Sequence, residues 1–201
     1  MPRKTLISNV KRIVVKVGTS TISQKGKLSP AKMSHIVSNV AELARQGYQI
    51  VIVSSGAISA GASALNKEKA GLTIPEKQAM AAVGQAILIN EYRKLFGREG
   101  LSVGQILLTE DDVKHRRRFL NARNTLETLL DLGVVPVINE NDSVVVKEIK
   151  FGDNDTLSAH VAGLINADLL VLLSDIRGFY WDLSDPDPVE EIHRITDEVM
   201  A

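Results

Sequence analysis

Short apolar runs of strand length alternate along the chain with segments whose apolar residues recur at helical spacing. Arg12 to Val17 reads as a first strand. Ser29 then offers an N-cap with Pro30 at the first helical position, and Met33, Ile36, Val37, Val40 and Ala44 fall on one helical face before Gly47 stops the helix. Ile50 to Val53 is a second strand. Pro75 and Glu76 open a long helix that runs towards Phe96, with Gly97 and Gly100 predicted to end it. A strand at Val103 to Leu108 follows, then a helix carrying Leu126, Leu129 and Leu130, then a strand at Val134 to Ile138. The last pair is a helix with Leu157, Val161, Leu164 and Ile165, leading into a strand at Leu169 to Leu173.

The strands are near-continuous Val/Ile/Leu runs, the pattern of strands buried on both faces in a parallel sheet covered by helices. Val144 to Lys150 differs, and its mixed character predicts a hairpin beside the sheet. No repeat, low-complexity stretch or Gly/Ser linker marks a domain boundary, so the expectation is one domain over 1–201. The fold class is α/β, a three-layer αβα sandwich around a mainly parallel open sheet.

Composition narrows the function classes. With 24 Lys+Arg against 24 Asp+Glu, the formal net charge is +0, which gives no electrostatic reason to bind nucleic acid or an anionic membrane. The absence of cysteine excludes disulfides, thiolate metal sites and cysteine nucleophiles. No apolar run reaches the roughly 18 residues of a membrane span. Arg3, Lys4, Lys11 and Arg12 interrupt the start, so no signal-peptide hydrophobic region is read there. The expectation is a cytoplasmic globular protein.

Ligands of open α/β sheets sit at the carboxyl ends of the strands, and polar or glycine residues cluster at those ends here. Lys16 closes the first strand directly before Gly18-Thr19-Ser20, where backbone amides can face an anion. A lysine so placed can neutralise a transferring phosphoryl group, or it can simply reach solvent; the residue alone leaves both open. The loop is neither a Walker A motif nor the dinucleotide fingerprint, since the required glycines and lysine are missing. Ser55-Gly56 follows the second strand, where Gly56 permits close backbone approach and Ser55 offers a hydroxyl; an ordinary N-cap with a tight turn is the alternative. Nothing pairs Ser55 with a histidine and an acid as a nucleophile would need.

Asn139-Glu140-Asn141-Asp142 mixes amides and carboxylates that can hold the charged ends of a ligand, with Asp142 suited to an ammonium, although an Asx-rich turn is also compatible. Gly152-Asp153-Asn154-Asp155 lacks the remaining ligands of a calcium loop and reads as a helix N-terminus. Asp155 there suits a cation, either Lys16 or Mg²⁺, better than a phosphate. Ser174-Asp175 ends the last strand. The basic run Lys114 to Arg118 reads as a solvated or subunit-contacting loop, and His35, His115, His160 and His193 show no metal-ligand spacing.

In this order, these segments are similar to the amino-acid kinase family. The resemblance rests on Val14-Val15-Lys16-Val17-Gly18-Thr19-Ser20, Val53-Ser54-Ser55-Gly56-Ala57-Ile58, Ala82-Val83-Gly84-Gln85, Phe119-Leu120-Asn121-Ala122-Arg123, Pro136 to Asp142, Gly152 to Asp155, and Ser174-Asp175. It spans about Arg12 to Tyr180. The resemblance implies ATP-dependent phosphorylation of the side-chain carboxylate of L-glutamate to γ-glutamyl phosphate, the first step of proline synthesis, with Mg²⁺ arriving on the nucleotide. It implies catalytic roles for Lys16 and Asp155, Lys16 stabilising the phosphoryl charge and Asp155 orienting the catalytic lysines. Ser55, Gly56, Asn139, Asp142 and Asn154 would hold glutamate. Lys16, Gly18, Thr19, Ser174 and Asp175 would line the nucleotide side. A homo-oligomer and feedback inhibition by proline are further implications.

Two departures qualify the resemblance. After Tyr180 the family continues with an Asp-Pro-Arg segment, whereas Trp181 to Pro188 reads Trp-Asp-Leu-Ser-Asp-Pro-Asp-Pro. The sequence also stops at Ala201, before the Gly-Met/Thr-Lys segment that carries the family's second catalytic lysine, and before any small C-terminal PUA domain. The expectation is therefore a chain lacking its C-terminal nucleotide-binding portion. Kinases of aspartate, acetylglutamate, carbamate or a phosphate acceptor, and a non-catalytic amino-acid-binding module, are the rival readings.

Overall fold

A computed structural model describes residues 8–144 and 154–175. Five strands form one sheet in which every pairing is parallel: β1 (Arg12–Val17), β4 (Gln49–Ser54), β5 (Val103–Leu108), β6 (Val135–Glu140) and β7 (Leu169–Leu173), in the order β5-β6-β4-β1-β7. β-Branched and leucine side chains on both faces explain the pairing. In β1, Ile13, Val15 and Val17 enter one core with Met33, Ile36, Leu88, Tyr92 and Phe96, while Val14 enters the opposite core with Leu126, Leu157 and Val161. These two cores are the inner surfaces of the three layers. α2 (Pro30–Arg45) and α4 (Ile74–Arg98) cover one face, and α6 (Arg116–Asp131) and α7 (Asn154–Leu164) cover the other. The α/β sandwich expected from the sequence is the architecture observed.

Local chemistry sets the helix ends. Ser29 Oγ accepts from the Lys32 amide with Pro30 behind it. At α4, Thr73 and Glu76 form a reciprocal capping box, with Glu76 Oε2 accepting from the Thr73 amide at 2.8 Å. The same helix runs through Gly97 to Arg98, so Gly97 does not end it. Gly100, at φ +78°, makes the turn, and the Leu101 amide reaches back to the Phe96 carbonyl at 3.0 Å.

Several elements differ from the sequence reading. β6 continues through Asn139 and Glu140, because β5 offers it a parallel partner as far as Leu108 and the ladder carries the polar residues along. The turn begins at Asn141, where Ser143 Oγ donates to Asn141 Oδ1 at 2.7 Å. After Ser55-Gly56, the run of small residues from Ala57 to Ala64 forms a helix, α3 (Ala57–Ala64). A short hairpin, β2 (Ser23–Gln24) with β3 (Lys27–Leu28), turns on Lys25 and Gly26, both with positive φ, and follows the four-residue α1 (Thr19–Ile22). α5 (Glu110–Lys114) precedes α6. Of the predicted hairpin at Val144 to Lys150, only Val144 is among the described residues, and it lies in a turn.

The opposite end of the sheet from the polar clusters is held by Asp168. Its Oδ2 accepts from the Lys11 and Arg12 amides at 2.8 Å each, and these bonds hold its carboxyl below the usual range. Arg12 in turn donates to Gln49 Oε1 from Nε and Nη2, tying β1 to β4. No described helix is long and apolar enough to cross a membrane.

Candidate active site

Strand order brings the carboxyl ends of β6, β4, β1 and β7 side by side, and these ends carry the polar residues singled out above. Backbone bonds stitch the ends together. The Ser55 amide donates to Val17 O at 2.9 Å, and the Gly18 amide to Leu173 O at 3.4 Å.

Lys16 lies at the end of β1, and its Nζ meets Asp155 Oδ1 at 2.6 Å across the start of α7. The lysine side chain is 12% exposed and the aspartate 47%, with the Asp155 Oδ1 that meets the lysine itself buried, so the contact is enclosed while the rest of the aspartate faces outward. Asp155 occupies the first turn of its helix, where a negative charge is favoured by the helix dipole. A mostly buried ammonium held by one carboxylate keeps donor capacity for a further anion, since an ammonium has three N–H groups. Gly18 sits close beside it, and a Cβ there would come within 3.6 Å of Lys16 Nζ and 3.2 Å of Thr21 Oγ1.

Asn154, Ser55 and Asn139 form a second cluster. Asn154 Nδ2 donates to Ser55 Oγ at 2.7 Å and to Asn139 Oδ1 at 3.1 Å, which uses both amide hydrogens. Three elements, α7, β4 and β6, are thereby locked at one point. Because the Ser55 oxygen accepts from Asn154, its own proton is directed to another acceptor. Ser55 is thus not the cap of α3; Gly56 is, at φ +107°, a backbone conformation suited to glycine.

These residues line a cavity of about 230 Å³, whose wall also includes Asp142, Glu140, Thr19 and the first turn of α3. The first amides of a helix have no intrahelical acceptor, so the Ala57 to Ser59 end of the wall offers donors to an anion. Asp142 and the buried Glu140 add carboxylates to the same lining. A cavity below the roughly 300–1,000 Å³ of drug-sized pockets, lined by both amide donors and carboxylates, suits a small zwitterion.

All five residues expected to hold the amino acid, Ser55, Gly56, Asn139, Asp142 and Asn154, line this cavity. The nucleotide-side set divides. Thr19 lies on the same wall, whereas Ser174 and Asp175 border a separate space of about 570 Å³ with Ser20, Thr21, Lys32 and His35. Lys32 Nζ donates to the Ser20 and Ser23 carbonyls at 3.0 and 2.9 Å, pinning the turn that carries Thr19. Gly152 and Asp153 lie outside the described residues.

Several contributors carry no signal of their own in the sequence. Glu140 was read within the Asn139 to Asp142 cluster without a role of its own; its place at the end of β6 puts it in the cavity wall. Ser54 and Tyr92, hydrogen-bonded at 3.0 Å in the core, belong to no motif as a pair. Gly84 is one residue of a quoted motif, and its role is a contact. It faces Gly61 where α4 crosses α3, and a Cβ on either would fall within 2 Å of a backbone oxygen of the other helix. The basic run is not the expected loop: Lys114 ends α5 and Arg116 to Arg118 open α6, all exposed in this chain, with Lys114 paired to Glu110, His115 3.8 Å from Asp111 and Arg118 3.6 Å from Asp112. Among the described residues, no group of three or more His, Cys, Asp or Glu could hold a metal ion.

A parallel sheet with anion donors, a lysine and small-ligand polar groups gathered at its strand ends is the layout of a small-molecule α/β enzyme. The profile of the Amino acid kinase family matches residues 11–201, and the chain belongs to that family. It is similar to the glutamate 5-kinase of Clostridium acetobutylicum, 49% identical over 208 residues, covering 99% of this chain and 76% of that protein. The glutamate 5-kinase of Geobacter metallireducens is 53% identical over 187 residues, covering 92% of this chain but 49% of that protein. That of Clostridium tetani is 47% identical over 204 residues, with 99% and 76% covered. The chain therefore spans between about half and three quarters of these relatives' length. Among solved structures, the fold matches UMP kinase from Ureaplasma parvum with a TM-score of 0.57 at 14% identity, covering 86% of this chain and 73% of that one.

Proposed function

We propose that this chain carries the amino-acid-binding part of a glutamate 5-kinase, which moves the terminal phosphoryl group of ATP to the side-chain carboxylate of L-glutamate. The observation that carries the reading is the Lys16–Asp155 pair, 2.6 Å long, set beside a 230 Å³ cavity whose walls offer both amide donors and carboxylates. The similarity to glutamate 5-kinases at about half identity supports the choice of acceptor.

In this reading, Asp142 takes the ammonium of glutamate, the Ser55 hydroxyl, the Asn139 amide and the Gly56 turn donate to its carboxylates, and Asn154, whose two amide hydrogens go to Ser55 and Asn139, holds those side chains in place against the ligand. A carboxylate oxygen of the side chain attacks the terminal phosphorus, the bond from that phosphorus to the bridging oxygen breaks, and ADP leaves. No proton moves, since the attacking carboxylate is already ionised. Catalysis then consists of alignment and charge neutralisation. Lys16 supplies positive charge to the transferring group, and Asp155 holds Lys16 in place. Gly18 and Thr19 flank the transfer point, with Ser174 and Asp175 towards the rest of the nucleotide. Mg²⁺ would travel on the nucleotide's phosphates, as the family resemblance implies. In this reading the protein opens proline synthesis, and the family resemblance supports work in the cytoplasm as a homo-oligomer inhibited by proline.

Calorimetry tests the acceptor site directly. L-Glutamate should bind the wild-type chain, L-aspartate and N-acetylglutamate should bind at least tenfold more weakly, and Asp142→Ala should weaken glutamate by about tenfold or more through loss of an ion pair to a buried ammonium. Equal affinity for all three acids, or an indifferent Asp142→Ala, would overturn the assignment. With a catalytically competent form, hydroxylamine trapping of the acyl phosphate reads the transfer itself.

A further inference from the structure

Tyr92 lies in the C-terminal third of α4, wholly buried, with its ring stacked on Phe96 at a centroid distance of 6.3 Å. Its hydroxyl is 3.0 Å from Ser54 Oγ, and Ser54 Oγ donates in turn to the Ser55 carbonyl at 3.1 Å. A serine hydroxyl has one proton. With that proton on the Ser55 carbonyl, the Tyr92 O–H is the donor to Ser54. The two bonds therefore run in one direction, from Tyr92 through Ser54 to Ser55 O, and such chains strengthen one another in a dry interior. Burial makes the tyrosine hydroxyl hard to ionise, which keeps the donor in place.

The Ser55 carbonyl and the Gly56 amide belong to one trans peptide, so they point in opposite directions. Pinning the carbonyl towards the core turns the Gly56 N–H the other way, towards the cavity that Gly56 lines. We propose that Tyr92 is a positioning residue for ligand binding: its hydroxyl, acting through Ser54, fixes the Ser55–Gly56 peptide so that the Gly56 amide is presented to a carboxylate of the bound amino acid. The identity of the ligand rests on the function proposed above; the orientation of the peptide does not. Glycine at φ +107° makes the device necessary, because a peptide flanked by glycine can rotate cheaply unless something holds it.

The test uses the 201-residue chain in three forms. Tyr92→Phe deletes only the hydroxyl, Ser54→Ala deletes the middle of the relay, and Phe96→Leu disturbs the packing around the Tyr92 ring while leaving both relay hydroxyls in place. Backbone amide NMR without ligand reads the peptide itself. The Gly56 signal should shift and its order parameter fall in Tyr92→Phe and in Ser54→Ala, and both should stay put in Phe96→Leu. Calorimetry then reads the consequence, with L-glutamate affinity about three- to tenfold weaker in the two relay variants and within about twofold of wild type in Phe96→Leu. An unchanged Gly56 signal in the relay variants overturns the proposal, as does equal weakening in all three. Should Tyr92→Phe fail to fold, Ser54→Ala decides the same question. If the wild type binds no glutamate while Gly56 still responds to Tyr92→Phe, the ligand assignment fails and the positioning of the peptide stands.

Discussion

Replacing Gly84 by alanine tests how the cavity wall is built. A Cβ at Gly84 would lie 1.7 Å from Ala57 O and 2.7 Å from the Gly61 amide nitrogen. To bring the first distance up to 3.0 Å, below which Cβ atoms are essentially never found, α3 and α4 must part by about 1.3 Å. Both neighbours are backbone atoms of a packed helix, so no rotamer change relieves the overlap. Overpacking of this kind costs about 1–3 kcal/mol, and an all-backbone clash belongs at the upper end. Alanine also gains about 1 kcal/mol over glycine as a helix former, leaving a net loss of about 2 kcal/mol. Gly97, in the same helix, has nothing within 4 Å of its would-be Cβ, so Gly97→Ala isolates the helix-forming gain. Urea unfolding of the two variants should differ by about 3 kcal/mol at an unchanged m-value, with Gly84→Ala below wild type and Gly97→Ala above it. Gly84→Ala should also lose ligand affinity, because the parting helices move the first turn of α3. If the two variants unfold within about 0.5 kcal/mol of each other, the close-crossing argument is wrong.

Other consequences can be checked alongside. In a catalytically competent form, Lys16→Ala should cut acyl-phosphate formation by about 10²-fold or more with L-glutamate affinity nearly unchanged, and near-normal turnover would remove the lysine from its role. Asp155→Ala should reduce the same rate, and the double variant should be little worse than Lys16→Ala alone; additive losses would mean that the 2.6 Å pair does not act as a unit. Burial pushes the Tyr92 hydroxyl from its ordinary 10.0 up to about 12. A raised value means the stabilising contribution is intact below pH 10 and is lost as pH climbs towards 12, on the order of 2 kcal/mol. The stability advantage of wild type over Tyr92→Phe should therefore shrink across that window, and a constant difference would refute the shift.

The chain's own pattern was enough to determine most of the scaffold. Unbroken apolar runs such as Val14-Val15 and Ile50 to Val53 can be buried only on both faces, so a helix-covered parallel sheet followed from them. Ser29-Pro30 marked a helix start because capping is chemistry between residues three apart, and Pro75-Glu76 marked the long helix, whose capping residue Thr73 the structure supplies. Lys16, Ser55, Asn139 and Asn154 were legible as candidates because polar residues ending apolar strands stand out in a linear pattern. Charge alone left Asp155 open to Lys16 or Mg²⁺, and nothing local joined Asn154 to Ser55 and Asn139. Lys16 and Asp155 are 139 positions apart in the sequence, and strand order, which places β7 beside β1 and β6 beside β4, is what makes them neighbours. The course of β6 through Asn139 and Glu140 likewise depended on a partner strand, since a ladder is continued by hydrogen bonds that the strand's own residues do not encode. Gly84 and Tyr92 are ordinary residues of a long helix until α3 and the end of β4 are packed against them. Local sequence determined which residues could form each element and which could do chemistry; only long-range packing decided which of them share one cavity.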